Sequence, residues 1–211
     1  MPETSTLSLF VVAAALLVVV PGPNTLYIIT RSAHQGLAAG ALSCLGVMFG
    51  TLFHTAAAAL GISALLLSST TAFNLVKYAG AAYLVYLGIR TLRRRDDPSE
   101  ARGAMADKGA AGTFFQGMLV NVLNPKTTLF IAAFLPQFVD AGRGSVPGQI
   151  LFFGMVLILV GAVSDLTYAF FAAKLGSRLR GDFRFPLQPY LAGCIYLGLG
   201  AAAALTGLRK P

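Results

Sequence analysis

Two short polar stretches inside long apolar runs carry the residues that could do chemistry in this chain. The stretches are Pro21-Gly22-Pro23-Asn24 and Asn124-Pro125-Lys126. Proline lacks a backbone donor and clashes with the preceding turn, so an α-helix cannot pass either stretch unbroken. A simple proline kink is one interpretation. The other is a cavity, because a break at membrane depth is tolerated only where it is buried in protein or lines water.

Lys126 is an ionisable residue deep in an apolar segment. A charge at the bilayer centre costs about 3 kcal/mol on insertion scales, so such a residue is expected to face a cavity or a partner. The Lys126 ammonium could bind the carboxylate of a substrate or pair with Asp165. Snorkelling to an interface is less suitable, because the residue is too central.

Asp165 and His54 are the other two embedded ionisable groups. Asp165 is a candidate for binding a substrate amine or for carrying a proton. The alternative is a salt bridge with Lys174 or Arg178 near the end of its segment. An imidazole titrates near neutral pH, so His54 is a second candidate for proton coupling, although a lone packed histidine is an equal alternative.

Asparagines flank both breaks and supply hydrogen-bond donors and acceptors; they are Asn24, Asn121 and Asn124. The half-helix that starts after Pro23 would point its positive end at the cavity, which suits an anionic group. These groups together predict a zwitterionic ligand. Its carboxylate would meet a helix N-terminus or Lys126, and its amine would meet freed carbonyls, asparagine side chains or Asp165.

Composition identifies the chain as an integral membrane protein. Of its 211 residues, 56% are hydrophobic and only 11% are charged, against about 25% charged in soluble domains. The net charge of +8 is interpreted as a topology signal and not as a nucleic-acid surface. No metal-ligand spacing, cofactor motif or nucleophile–base pair stands out, so neither a cofactor nor an enzymatic activity is predicted.

The segments that must position these groups are helical, because continuous apolarity at this length is not the alternation of barrel strands. Six can be drawn, at 7–30, 38–67, 71–91, 113–139, 147–173 and 187–208. Three segments per half make the second half enter the membrane in the opposite orientation, which predicts two inverted three-helix repeats. Residues 1–91 form the first repeat, 92–112 a linker and 113–211 the second repeat.

The breaks occupy matching places in the two halves, since they interrupt segments one and four. They lie about 21 Å and about 18 Å along their helices from opposite faces, near the middle of a core about 30 Å thick. Paired interruptions of this kind indicate a transporter binding site.

Basic residues predict the orientation of the chain. Regions 90–112 and 174–186, with Arg31 in the first short loop, hold 11 of the 16 Lys and Arg residues and alternate to lie on one side. The positive-inside rule makes this side cytoplasmic. Both termini are therefore expected outside and the 92–112 linker in the cytoplasm.

Small residues on segment two indicate close helix packing. Gly46 and Gly50 form a GxxxG step that His54 continues, and such steps let helices approach closely. We interpret them as holding the second helix against the broken one. The glycine faces permit a homodimer without requiring it.

The chain resembles the LysE/RhtB-type amino-acid exporters over about residues 7–208. The similarity is carried by PGPN at 21–24, His54, NVLNPK at 121–126 and LPQFV at 135–139. It implies export of amino acids or close derivatives across a bacterial inner membrane, driven by the proton gradient. It supports residues 21–24 and 124–126 as the core of the site, and Asp165 as the place of an acidic residue.

The sequence thus predicts a secondary transporter that exports small or neutral amino acids by proton antiport. The preference for neutral substrates comes from Asp165 being the one acid embedded in a segment. An uncoupled channel or facilitator for small zwitterions is the alternative.

Overall fold

The first predicted segment folds as two helices with a sharp bend between them. A computed structural model of the chain describes residues 3–68 and 109–176, with single positions at 71, 78, 82, 85, 86, 89, 197 and 201. Helix α1 (Thr4–Val19) ends before Pro21, and α2 (Pro23–Gln35) begins with proline at its first position. The axes of α1 and α2 differ by 54°. The predicted break in segment one is confirmed.

The second segment is one long helix, α3 (Leu37–Ser68). Gly36 separates it from α2 with a φ of 85°, a left-handed conformation that glycine adopts without a steric penalty. The predicted range of 38–67 agrees with α3 to one residue at each end.

Arg31 corrects the sequence-based interpretation of this junction. It was assigned to a loop, but it lies within α2 and is only 2% exposed. Its guanidinium donates hydrogen bonds to the side-chain oxygens of Gln35 at 2.9 Å and Gln116 at 2.5 Å. These partners offset the desolvation that would otherwise keep an arginine at the surface.

The fourth segment is broken into several pieces. Helix α4 (Gly109–Val122) begins four residues before the predicted start of the segment, and the short α5 (Pro125–Leu129) follows the break. A π-helical turn (Phe130–Phe134) and a 3₁₀ turn (Leu135–Phe138) complete the segment. The two arms of this segment differ in direction by 53°, so the second predicted break is confirmed.

A short 3₁₀ turn (Ala141–Arg143) leads to the fifth segment, helix α6 (Val146–Lys174). The Ser145 hydroxyl caps α6 by accepting a hydrogen bond from the Gly148 amide at 3.3 Å. Leu37–Gly61 and Val146–Lys174 are each long and apolar enough to cross a membrane. If α1 with α2 forms one bent span, and α4 with residues 126–138 another, the described residues contain four spans.

The described residues contain helices and turns and no strand, which agrees with the all-α expectation. Segments 71–91 and 187–208, and positions 92–108 of the linker, lie outside the described residues apart from the single positions. The arrangement as two inverted three-helix repeats therefore stays a prediction.

Glycines bring α3 and α4 together. A side chain on Gly46 would meet the backbone of Phe114 and Met118, and one on Gly50 would come within 2.8 Å of the Asn121 Cβ. The interpretation of these glycines as packing residues is confirmed. Their partner is α4, the first part of broken segment four.

An aromatic cluster fixes α1 against the second broken segment and α6. The Phe10 ring lies 4.8 Å from that of Phe153, 5.1 Å from that of Phe138 and 6.0 Å from that of Phe130. Phe10, Phe130 and Phe153 are fully buried. This cluster sets the position of α1, and with it the position of the first break.

Candidate functional site

The first break leaves backbone carbonyls of α1 without partners inside the helix, as at any helix C-terminus. Side chains from elsewhere bind the last three. The Ser164 hydroxyl donates to the Val18 oxygen at 3.4 Å, and the Tyr168 hydroxyl to the Val19 oxygen at 2.6 Å. Ser164 and Tyr168 lie one turn apart on α6, so one face of α6 covers this end of α1.

The third carbonyl connects the two breaks. The Lys126 ammonium donates to the Val20 oxygen at 2.7 Å across 106 positions of sequence. Lys126 is 8% exposed. A Cβ on Gly22 would lie 3.3 Å from the Lys126 Cδ, so glycine at this position leaves room for the lysine side chain.

The second break is shaped by Asn124 and Pro125. The Asn124 side-chain oxygen accepts a hydrogen bond from the Lys126 amide at 3.0 Å, which caps α5, while Pro125 occupies the first helical position. Asn124 is 2% exposed. Because of this cap, α5 begins directly after Asn124. Lys126 is then the second residue of α5, and its side chain reaches the Val20 carbonyl.

A pair of asparagines makes a second connection between the two broken segments. The Asn24 Nδ2 donates to the Asn121 Oδ1 at 2.9 Å. Asn121 is fully buried, and its own Nδ2 donates to the Val47 carbonyl at 2.5 Å and to the Thr51 hydroxyl at 2.7 Å. The Asn24 Oδ1 is buried and accepts no hydrogen bond from the described residues.

A cavity of about 60 Å³ lies between the two breaks, α3 and α6. Its polar lining is Asn24, Thr25, Thr51, Asn124, Lys126, Thr127 and Asp165, and its apolar lining includes Leu17, Val18, Val47, Met48, Leu157 and Ile158. Gly22 and Gly161 also border it. A probe-sized site for one water takes roughly 10–15 Å³, so the cavity has room for roughly four to six water-sized groups.

Asp165 enters this cavity from α6 and is 9% exposed. Within the part of the chain that the structure describes, its carboxylate forms no ion pair within 4.0 Å with Lys126 or Lys174. The Lys174 ammonium lies instead 4.5 Å from the centroid of the Phe170 ring, and Arg178 is outside the described residues. Lys126 and Asp165 therefore border one cavity without a direct ion pair between them.

His54 lies behind the cavity wall. Its Nε2 is 3.2 Å from the Asn121 carbonyl oxygen and 3.4 Å from the Thr128 hydroxyl, and its role in each hydrogen bond depends on the tautomer. The described lining of the cavity does not include it. Through these contacts His54 could act on the cavity by way of Asn121 or the second break.

The structure brings together in one region all the residues proposed from the sequence. Residues 22 and 24 and residues 124 and 126 border the cavity with Asp165, while Asn121 ties Asn24 in place and Pro21, Pro23 and Pro125 set the breaks. Sequence reasoning missed Ser164 and Tyr168. Their spacing around Asp165 was an available signal, because residues four apart share a helix face.

No group of three or more His, Cys, Asp or Glu side chains suited to a metal ion occurs among the described residues. Lys126 and the asparagine amides offer donors, and Asp165, the Asn24 Oδ1 and the α1 carbonyls offer acceptors.

Long apolar helices, with two of the spans broken around a small polar cavity, are those of a multi-pass membrane protein. The model of the LysE type translocator family matches residues 15–207. The chain belongs to this family, which comprises transporters and not enzymes.

Relatives match nearly the whole chain. An uncharacterized membrane protein of Pseudomonas aeruginosa is 35% identical over 95% of this chain and 92% of its own length. One of Vibrio cholerae is 31% identical over 92% and 94%. A homoserine/homoserine lactone efflux protein of Salmonella typhi is 29% identical, also over 92% and 94%. No solved structure matches the chain significantly.

Proposed function

We propose that the chain exports small neutral amino acids from the bacterial cytoplasm in exchange for protons. Membership of the translocator family supports transport. The name of the Salmonella typhi relative, a homoserine/homoserine lactone efflux protein, supports export of an amino acid or a close derivative. The proposal concerns the substrate class, the coupling and the site.

The observation that carries the proposal is the contact between the two breaks. The Lys126 ammonium binds the carbonyl that the first break frees, at 2.7 Å, beside a cavity that Asp165 also borders. Discontinuous helices that present their ends to a midplane cavity are the general binding-site design of secondary transporters. A site with one cation and one carboxylate complements a zwitterion.

In the proposed complex the substrate carboxylate binds the Lys126 ammonium. The substrate ammonium binds the Asp165 carboxylate and the Asn24 Oδ1, an acceptor for which no described residue supplies a donor. Filling these donors and acceptors favours binding, because a buried hydrogen bond left unmade costs about 1–3 kcal/mol. The cavity volume of about 60 Å³ suits a substrate with a short side chain.

Asp165 is the proposed proton carrier. It borders the cavity, so the same carboxylate can bind either a proton or the substrate ammonium. Binding of the substrate would release the proton, and binding of a proton would release the substrate. His54 stays a second candidate, acting through Asn121, whose carbonyl oxygen it contacts at 3.2 Å.

The proposed cycle uses the predicted inverted repeats. Residues 1–91 and 113–211 would rock against each other around the two breaks, with residues 92–112 as a cytoplasmic linker and both termini outside. The charge distribution along the chain supports this orientation in the inner membrane. A homodimer is compatible with the proposal, and the site is formed within one chain.

The test uses purified protein in proteoliposomes that contain labelled alanine at the same concentration inside and outside. An acidic exterior should drive net alanine efflux, and a protonophore should abolish it. Absence of alanine, serine and homoserine transport would contradict the proposed substrate class. Transport that ignores the pH gradient would instead support the uncoupled facilitator.

A further inference from the structure

Gly161 is a glycine in the interior of α6 that borders the cavity. Glycine is disfavoured inside helices relative to alanine, because it loses more conformational freedom on folding. A glycine at such a position therefore calls for a physical reason. Close packing against a neighbouring helix is the usual one.

Packing accounts for several other helical glycines of this chain, although not for the exposed Gly61 on α3. A Cβ on Gly154, about two turns before Gly161 on α6, would run into the Thr55 side chain. A Cβ on Gly117 would come within 2.6 Å of the Ser43 carbonyl oxygen, and one on Gly176 within 2.6 Å of the Ala33 carbonyl oxygen. In each case the missing side chain allows two elements to meet.

Packing does not account for Gly161. Among the described residues, a Cβ at this position would meet only the Val18 Cγ1, at 4.0 Å, which is an ordinary van der Waals distance. The space that a side chain would fill is cavity. Gly161 thus borders cavity space, and no helix of the described residues approaches it closely.

The position of Gly161 relative to the charged groups suggests what this space holds. Asp165 is four residues later, and side chains at this spacing on a helix lie about 5–6 Å apart. A substrate that binds Asp165 through its ammonium would therefore have the rest of the molecule within reach of the space beside Gly161. Val18 faces the same space from α1.

We propose that Gly161 determines the upper size of the substrate side chain, with Val18 forming the opposite wall. This inference rests on the proposed function and names the residue that sets its specificity. In a cavity of about 60 Å³, one added methyl group removes a substantial part of the room. With Gly161 replaced, the smallest amino acids would still fit, and the longest ones that the unmodified chain accepts would not.

The test measures initial transport rates in proteoliposomes for a linear series: glycine, alanine, 2-aminobutyrate and norvaline. Gly161→Ala should shift the longest accepted substrate down by about one carbon, and Gly161→Val by more. The rate for the longest substrate of the unmodified chain should fall about 10–200-fold, the usual effect of one methylene in an apolar pocket. The rate for glycine should stay within about 2-fold.

Controls separate a size limit from damage to the fold. Gly61→Ala and Gly61→Val add the same groups to an exposed position of α3 with nothing described within 4 Å, and should leave the series unchanged. Val18→Ala enlarges the space from the other side and should extend the series by about one carbon. Such a gain cannot arise from misfolding.

The outcomes distinguish the two proposals. If the unmodified chain transports the series but neither the Gly161 variants nor Val18→Ala shift its limit, the inference about Gly161 is wrong and the proposed function stands. A uniform loss of all four substrates in folded Gly161 variants also contradicts the inference. If the unmodified chain transports none of the four, the proposed function fails and the inference with it.

Discussion

Replacing Lys126 by methionine removes the charge that joins the two breaks while nearly preserving the length of the side chain. The lysine ammonium donates to the Val20 carbonyl at 2.7 Å. Among the described residues that line the cavity, Lys126 is the one with a cationic side chain. In the proposed complex it also binds the substrate carboxylate. Lys126→Met should therefore impair substrate binding more than folding.

The magnitude follows from the interaction that is lost. A hydrogen bond to a charged group contributes about 1.5–3 kcal/mol, which corresponds to a loss of about 10–150-fold in apparent affinity at 1.4 kcal/mol per factor of ten. The effect on folding is expected to be smaller. The Val20 carbonyl loses its donor, but the desolvation of a buried charge is relieved at the same time.

The assay is alanine efflux from proteoliposomes over a range of internal concentrations, with protein incorporation measured for each preparation. Lys174→Met is the matched control. It removes the same charge from the same residue type at an exposed position near the end of α6. The control should transport at the unmodified rate within about 2-fold.

The result that would refute this reasoning is an apparent affinity for Lys126→Met within about 2-fold of the unmodified chain at equal incorporation. Lys126 would then be a structural lysine that holds Val20, and the substrate carboxylate would have to bind elsewhere. A loss in both Lys126→Met and Lys174→Met would point to surface charge and not to the cavity.

Three further predictions test the parts around Lys126. Asp165→Asn should abolish efflux driven by an imposed pH gradient. Exchange of labelled for unlabelled alanine should persist with a lower apparent affinity, because the amide oxygen still accepts from the substrate ammonium but carries no charge. Intact pH-driven efflux would exclude Asp165 as the proton carrier. Asn121→Leu should lower the free energy of unfolding by about 1–3 kcal/mol, because the side chains of Asn24 and Thr51 and the Val47 carbonyl lose their buried partner. Thermal unfolding measures this effect, with Leu119→Ala, at a position 54% exposed, as the control. Equal melting temperatures for Asn121→Leu and the unmodified chain would contradict a stabilising role for the Asn121 hydrogen bonds. Gly46→Val should reduce the amount of folded protein in detergent extracts, because its side chain would clash with the backbone of α4. The control Gly61→Val should leave this amount unchanged. Similar yields of the two variants would mean that folding does not depend on the close contact between α3 and α4.

Local signals in the sequence predicted the breaks and the two continuous spans. The prolines at 21, 23 and 125 act on the turn that contains them, and α3 and α6 are uniformly apolar, so their predicted ends differ from the structure by one residue. No tertiary information was needed for these elements.

Features that depend on a distant partner could not be predicted. The acceptor of the Lys126 ammonium is 106 positions away, and the sequence offered Asp165 or a substrate as partners. Arg31 was misassigned because its charge marks the end of an apolar run, whereas Gln116 in a later helix makes its burial tolerable. The π-helical turn at Phe130–Phe134 has no local sequence signal of comparable strength.

Glycines illustrate the same division. The GxxxG spacing of Gly46 and Gly50 predicted a helix contact without specifying α4 as the partner. The isolated Gly161 has no such pattern. Its empty surroundings become informative only when the positions of Val18 and the cavity are known.

The most direct test of the central claim is an experimental structure of the chain in lipid with alanine bound. The account predicts alanine between the two breaks, with its carboxylate within about 3.2 Å of the Lys126 Nζ and its ammonium at a similar distance from the Asp165 carboxylate. Alanine bound away from residues 22–24 and 124–126, or breaks that face different sides of the protein, would contradict the account.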